Sequence, residues 1–301
     1  GGGVVGEGAT REQRRRMGIG GGGGGSAPAG SDELDSEGFL LQPRGGCGAG
    51  GAGAAAARWT DPSLRALSWK REGLSDELRF ERPYRQVLAS GLAVEFEQRP
   101  FGPEGFASTV WDSSIVASRW AERQGAGFWE GAPVLELGAG CGLLACTLAA
   151  LGAAVVATDL PPNLPLLQKN CEAFGRAAGL PPPEVAACEW GVRGGAAGRG
   201  GWSWVVGCDL MYIEEAVPSL VDTLLDCTGG ADTPDPQVRV LFAFGRNSQA
   251  QHAFEAEMRA HRFTQHRLSA RELHPDYAPL DVKVFEWRRL ARPARNRSRV
   301  G

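Results

Sequence analysis

Residues 134–143 read VLELGAGCGL, an apolar run that enters a GxGxG turn and leaves it as a second apolar segment. Glycines belong in such a turn because a Cβ would keep the backbone from closing on a ligand, and the helix that follows points its amide N–H groups at a carboxylate or phosphate. Dinucleotide binders space their glycines as GxGxxG, which would need glycine at 143, where this chain has Leu143. Glu136, two residues ahead of Gly138, is likewise unusual for nicotinamide enzymes. Asp159 ends the next apolar run, 19 residues after Gly140. A carboxylate there accepts hydrogen bonds from both ribose hydroxyls, or else caps a helix ahead of Pro161 and Pro162. Trp190 stands two residues past a third short run, where a nucleoside base needs a flat apolar neighbour; the competing role is core packing. The string VVGCDLMY at 205–212 places Asp209 and, three residues on, Tyr212 just beyond a fourth run. In an open α/β sheet that is the ligand side.

These residues are brought together if the chain from 133 onward alternates strand, glycine turn and helix, the pattern of a parallel sheet covered on both faces. Strands are expected at 134–137, 154–158, 185–188, 204–208 and 238–244. The periodicity predicts a helix over 141–151 with Leu144, Leu148 and Leu151 on one face. Leu164, Leu167, Cys171 and Phe174 mark another, ending at Gly175 or Gly179 before Pro181. Further helices run through Val217, Leu220, Val221 and Leu224, and through Phe254 and Met258. Residues 191–201 read as a glycine-rich loop, and 263–268 with 282–287 as a closing hairpin. Upstream, a Ser90-Gly91 turn separates two short runs, with Leu92, Val94 and Phe96 alternating as in a half-buried strand. A helix over 111–123 follows, with Trp111, Ile115, Val116 and Trp120 on one face and Asp112, Ser113 and Glu122 on the other.

Composition narrows the class. The 301 residues are 43% hydrophobic with a net charge of −3, which fits an ordinary globular protein and gives no basic surplus for a polyanion. No run approaches the roughly 18 apolar residues that cross a bilayer, and no signal-peptide pattern opens the chain. The expectation is a soluble monomer in the cytoplasm, or in the nucleus as well, with neither membrane nor nucleic-acid partner. The seven cysteines show no CxxC spacing and the four histidines are scattered, so no metal is expected. Twenty of the 44 glycines fall within residues 1–57, a segment too poor in large apolar side chains to offset its ordering entropy. Three parts are therefore expected: a disordered Gly/Ala-rich extension over 1–57, a catalytic domain over 58–290 and a basic tail over 291–301.

Taken in order, VWDSSIVASRW at 110–120, VLELGAGCGLLACTLAALGAAVVATDLPPNLPLLQKN at 134–170, CEWG at 188–191 and VVGCDLMY at 205–212 resemble the methyltransferase family 16 group of seven-β-strand protein lysine methyltransferases. The resemblance spans about residues 84–290. It implies an α/β fold: a Rossmann-like, seven-stranded class I methyltransferase sheet with helices on both faces, preceded by the hairpin. It also implies S-adenosyl-L-methionine as cofactor, bound by Trp111, Gly138, Ala139, Gly140, Asp159, Trp190 and Cys208, and a lysine side chain of a protein as methyl acceptor. Two departures stand out: Cys208 replaces the usual Ala or Ser, and the 191–201 loop is rich in glycine. Asp209 and Tyr212 are then the residues that orient the acceptor amine. A carboxylate beside an ammonium raises the amine's pKa, so Asp209 is cast as a positioner, with the proton lost to water. Three alternatives remain: a small-molecule acceptor, for which residues 58–83 or the glycine-rich loop would have to form a lid; a protein histidine; and a binding module with no transfer activity.

Overall fold

Among the described residues, nine strands and the helices between them are built from the periodicities above, and all but two of those strands join one sheet. The computed structural model describes residues 69–291 apart from 72, 102–104, 231–232 and 246–247. The Gly/Ala-rich extension expected over 1–57 and the basic tail beyond residue 291 lie outside the described residues. The described residues from Lys70 onward belong to one unit; a second, Thr10–Trp69, contributes only Trp69 to the description.

A hairpin of β1 (Tyr84–Val87) and β2 (Ala93–Phe96) precedes the sheet, its turn closed by a hydrogen bond from Leu88 N to Leu92 O (2.8 Å). The sheet comprises β3 (Pro133–Leu137), β4 (Ala154–Asp159), β5 (Glu184–Ala187), β6 (Trp204–Cys208), β7 (Arg239–Phe244), β8 (Phe263–Arg267) and β9 (Lys283–Arg289), in the spatial order β5-β4-β3-β6-β7-β9-β8. The five strands from β5 to β7 are parallel and β9 is antiparallel to both its neighbours. Strand order therefore reverses between β3, the first strand of this sheet along the chain, and β6. That switch point opens a crevice beyond the carboxyl ends of the two strands, where α/β sheets bind ligands. The two last strands pair as expected, but β9 inserts between β7 and β8. Glu286 of β9 takes a bidentate ion pair from Arg239 of β7 (2.8 and 2.6 Å), whose guanidinium lies over Trp204 of β6. That clamp fastens the antiparallel edge to the parallel strands.

Side chains alternate across the sheet as the pleat requires. Leu135 and Leu137 of β3 join Val205, Val240 and Phe242 in one core cluster with the helices Val217–Cys227 and Gln251–Ala260. On the other face the helices Asp112–Gln124, Leu143–Ala150 and Leu164–Ala178 pack in succession. The last of these ends on Gly179, which adopts the left-handed conformation, φ 65°. The first differs from the sequence expectation at its start. Asp112 and Ser113, placed by periodicity on a polar face, are fully buried, because this end of the helix runs into the crevice rather than into solvent.

Candidate active site at the glycine turn

The turn after β3 calls for glycine at three points, the last being Gly142 (φ 83°). Gly138 (φ 61°) and Gly140 (φ 55°) lie in the left-handed region, and a Cβ on Gly140 would sit 2.9 Å from the carbonyl oxygen of Ala107. A Cβ on Gly138 would meet Leu210 at 2.6 Å and the Trp190 ring at 3.8 Å. Trp190 therefore lies against the turn, half-buried at the edge of the core cluster. Ala139 is buried and its N–H donates to Thr158 O of β4 (2.9 Å).

Asp159 is joined to the turn directly. Its Oδ2 accepts from Gly140 N (2.8 Å), and its Oδ1 from Leu160 N (2.8 Å) and Asn163 Nδ2 (2.6 Å). Burial pushes its pKa above the ordinary carboxylate value, and the three hydrogen bonds pull the other way. A carboxylate has about four lone-pair sites, so with three donors in place it can still receive a hydroxyl. Asp159 thus holds its local chain without capping either Pro161–Asn163 or the helix Leu164–Ala178, and it keeps one acceptor site.

Glu136 lies beneath the same turn. The helix Leu143–Ala150 begins at Gly142, which offers no capping side chain. The Ala145 N–H in its first turn donates to the Glu136 carboxyl instead. The second oxygen of Glu136 is buried with no hydrogen-bond partner among the described residues. Desolvation, and then Cys171, push this carboxyl well above the usual range.

Across the switch point, Asp209 closes β6 in the left-handed conformation (φ 53°), an uncommon place for a residue with a Cβ. Three bonds hold it there. Its N–H donates to Ala243 O (2.8 Å), its Oδ1 accepts from Gly245 N (2.8 Å) and its Oδ2 from Ser113 Oγ (2.5 Å). Both carboxylate oxygens thus tie β6 to the end of β7 and to the first turn of the helix Asp112–Gln124. Tyr212, three residues on, is half-buried with its ring edge-on to Phe106 at 6.2 Å. Burial, with a smaller contribution from the Asp159 charge, raises its pKa, so it remains a neutral phenol at pH 7. Desolvation likewise pushes the thiol of Cys208 well above the ordinary range, keeping it uncharged.

Residues 97–101 and 105–111 form the remaining wall. Gln98 organises it: its amide oxygen accepts from Thr109 Oγ1 (2.9 Å) and Val110 N (3.1 Å). Its amide nitrogen donates to Arg79 O (3.1 Å) and Arg82 O (3.2 Å). Trp111 donates from Nε1 to Phe106 O (3.1 Å) and stacks with Phe101 at 6.1 Å. The structure therefore gathers Trp111, Gly138, Ala139, Gly140, Asp159, Trp190, Cys208, Asp209 and Tyr212 around one turn. Sequence reasoning did not pick out Ser113, Gln98 or Ala107. Ser113 reads as a solvent-facing helix residue, and the other two lie in a stretch without periodicity.

The site can hold a nucleoside with an amino-acid arm: a carboxylate with acceptor capacity, a flat apolar neighbour and a backbone with no Cβ to obstruct approach. Comparisons with known proteins identify a family. A family model described as lysine methyltransferase matches residues 93–261, more than half of the chain. The zebrafish (Danio rerio) protein N-lysine methyltransferase METTL21A is 32% identical over 181 residues, covering 60% of this chain and 77% of that protein. The Xenopus tropicalis EEF1A lysine methyltransferase 3 is 35% identical over 120 residues, 40% of this chain and 52% of that one. Among solved structures, magnesium protoporphyrin IX methyltransferase from Synechocystis with bound SAM aligns with a TM-score of 0.42 at 19% identity, covering 60% of this chain and 78% of its own. With seven strands in this order, the assembled turn and a family match that encloses every residue from Trp111 to Tyr212, the chain belongs to the lysine methyltransferase family.

Proposed function

We propose that this protein transfers the methyl group of S-adenosylmethionine to the side-chain amine of a lysine in another protein. The observation that carries the proposal is the family match over 93–261, which contains the glycine turn, Asp159 and the Asp209–Tyr212 segment together. Bound at the turn, the cofactor supplies a methyl group already activated on a sulfonium. Asp159 would receive a ribose hydroxyl and Trp190 would lie against the base, while Gly138–Gly140 leave room for the chain between them. Trp111 and Cys208 enter the set through the family pattern.

The rest falls to residues that orient the acceptor. A lysine amine, with a pKa of about 10.4, is neutral in less than about one part in a thousand at pH 7. Tyr212, held as a phenol, can hydrogen-bond the amine but cannot serve as a strong base. Asp209 acts through position: its bonds to Ser113 and Gly245 fix the backbone that presents Tyr212. The proton leaves to water.

Incubation with radiolabelled cofactor and a cell lysate, followed by mass spectrometry of the labelled species, tests the proposal. The expected result is label in one or a few protein bands, located on lysine. Label only in small molecules, or on histidine, refutes it.

A further inference from the structure

Two arginines beside the turn have no part in the chemistry above. Arg71 and Arg79 hold one another through the backbone: Arg71 Nη2 donates to Arg79 O (3.0 Å) and Arg79 Nη2 to Arg71 O (2.9 Å). The Arg79 guanidinium lies 5.2 Å over the Trp111 ring, and that of Arg71 lies 5.1 Å over Tyr84. Further bonds fix Arg71 from the backbone N–H to Asp112 Oδ1 (2.6 Å) and from Nη2 to Gln98 Oε1 (3.1 Å). Its Nε is buried and has no hydrogen-bond partner among the described residues. Burial, and then the charge of Arg79, pull its pKa down, which marks a guanidinium held in an unfavourable setting.

A short path connects this pair to the glycine turn. Trp111 donates to Phe106 O, and the next carbonyl, Ala107 O, stands 2.9 Å from the position of a Gly140 Cβ and accepts from Cys141 Sγ at 3.7 Å. Gly140 is thus bounded by Asp159 through its N–H and by the wall of residues 106–111 on its Cα side. With the nucleoside taken by Asp159 and Trp190, the amino-acid end of the cofactor has to extend toward that wall. It carries an α-carboxylate, and a guanidinium offers carboxylates donors in a planar fork.

We propose that Arg71, braced by Arg79, binds the α-carboxylate of the cofactor. The inference rests on the S-adenosylmethionine reading of the site and adds to it a residue well upstream of the motifs. In this arrangement Gln98 sets the guanidinium in place, Asp112 holds the Arg71 backbone, and Trp111 contributes by supporting Arg79.

Calorimetric titration separates the two claims. S-adenosylhomocysteine carries the carboxylate, and 5′-methylthioadenosine lacks the whole amino-acid arm. Losing one charge-assisted hydrogen bond should weaken S-adenosylhomocysteine binding to Arg71→Gln by about 10- to 100-fold, with methylthioadenosine affected by less than about twofold. Equal loss for both ligands, or loss for neither, overturns the inference. Wild-type protein that binds neither ligand overturns the cofactor reading beneath it. Should Arg71→Gln not fold, the carboxamide of S-adenosylhomocysteine makes the same test on the wild-type chain. Its binding should be weaker by about tenfold or more, and affinity equal to that of the acid refutes the role of Arg71.

Discussion

At the scale of single residues, the site is held by buried polar groups with partners from distant parts of the chain. Ser113 and Asp209 lie 96 positions apart yet share a hydrogen bond that joins the helix Asp112–Gln124 to the end of β6. Ser113→Ala removes a donor from a buried carboxylate, so it should cost about 1.5–3 kcal/mol in chemical denaturation. An unchanged denaturation midpoint would mean that the remaining contacts of Asp209 suffice to hold it. Glu136 gives the opposite case. Its carboxyl binds a proton more tightly in the folded than in the unfolded chain, so its stabilising effect is complete below the ordinary value of 4.5 and is lost as pH rises through the raised folded value. Glu136→Gln keeps an acceptor for Ala145 N and removes the charge. The variant should match wild type in thermal midpoint near that ordinary value and exceed it increasingly toward neutral pH. A wild-type midpoint that rises relative to the variant over the same range contradicts this. Asp159, also raised, retains a slope of the same sign in both proteins.

At the scale of elements, the turn between β3 and the helix Leu143–Ala150 combines conformational demand with close approach. Gly140→Ala places a Cβ at φ 55°, against a backbone carbonyl that cannot rotate away. The strain should cost about 1–3 kcal/mol of stability. Binding of S-adenosylhomocysteine should fall as well, since relief of the contact displaces the 106–111 wall. Gly91→Ala in the hairpin is the control: its φ is 85°, but nothing lies within 4 Å of the added carbon. It should lose stability and keep its affinity. If the two variants lose affinity alike, the contact with Ala107 is irrelevant to the site.

At the scale of the whole molecule, the order β5-β4-β3-β6-β7-β9-β8 places one wall of the crevice on β3 and β4 and the other on β6 and β7. The glycine turn and Asp159 therefore lie on one side of the switch point, and Asp209 with Tyr212 on the other. On the proposed mechanism, in which Tyr212 stays protonated and the acceptor proton goes to water, kcat/KM on a lysine substrate should rise about tenfold per pH unit from pH 7 toward the lysine pKa of about 10.4. Tyr212→Phe should lower the whole curve without changing its slope. A plateau near pH 7 in the wild-type rate would point to a base within the protein.

The sequence by itself determined the strands, the glycine turn and the acids after β4 and β6, because each is a local pattern: a period of two, a Cβ that cannot fit, a carboxylate at a strand end. Resemblance across four ordered segments supplied the chemistry of the family. Only the tertiary structure decided how the polar residues are used. Asp112 and Ser113 follow helical periodicity onto a face that would meet water in an isolated helix, yet that face meets Arg71 and Asp209. Gln98 and Ala107 lie in a stretch with no repeat, so only the packing of that stretch against Gly140 gives them a role. Hydrogen bonds between residues tens of positions apart leave no periodic trace in a single chain, and that is why this wall of the site was invisible until the fold was in view.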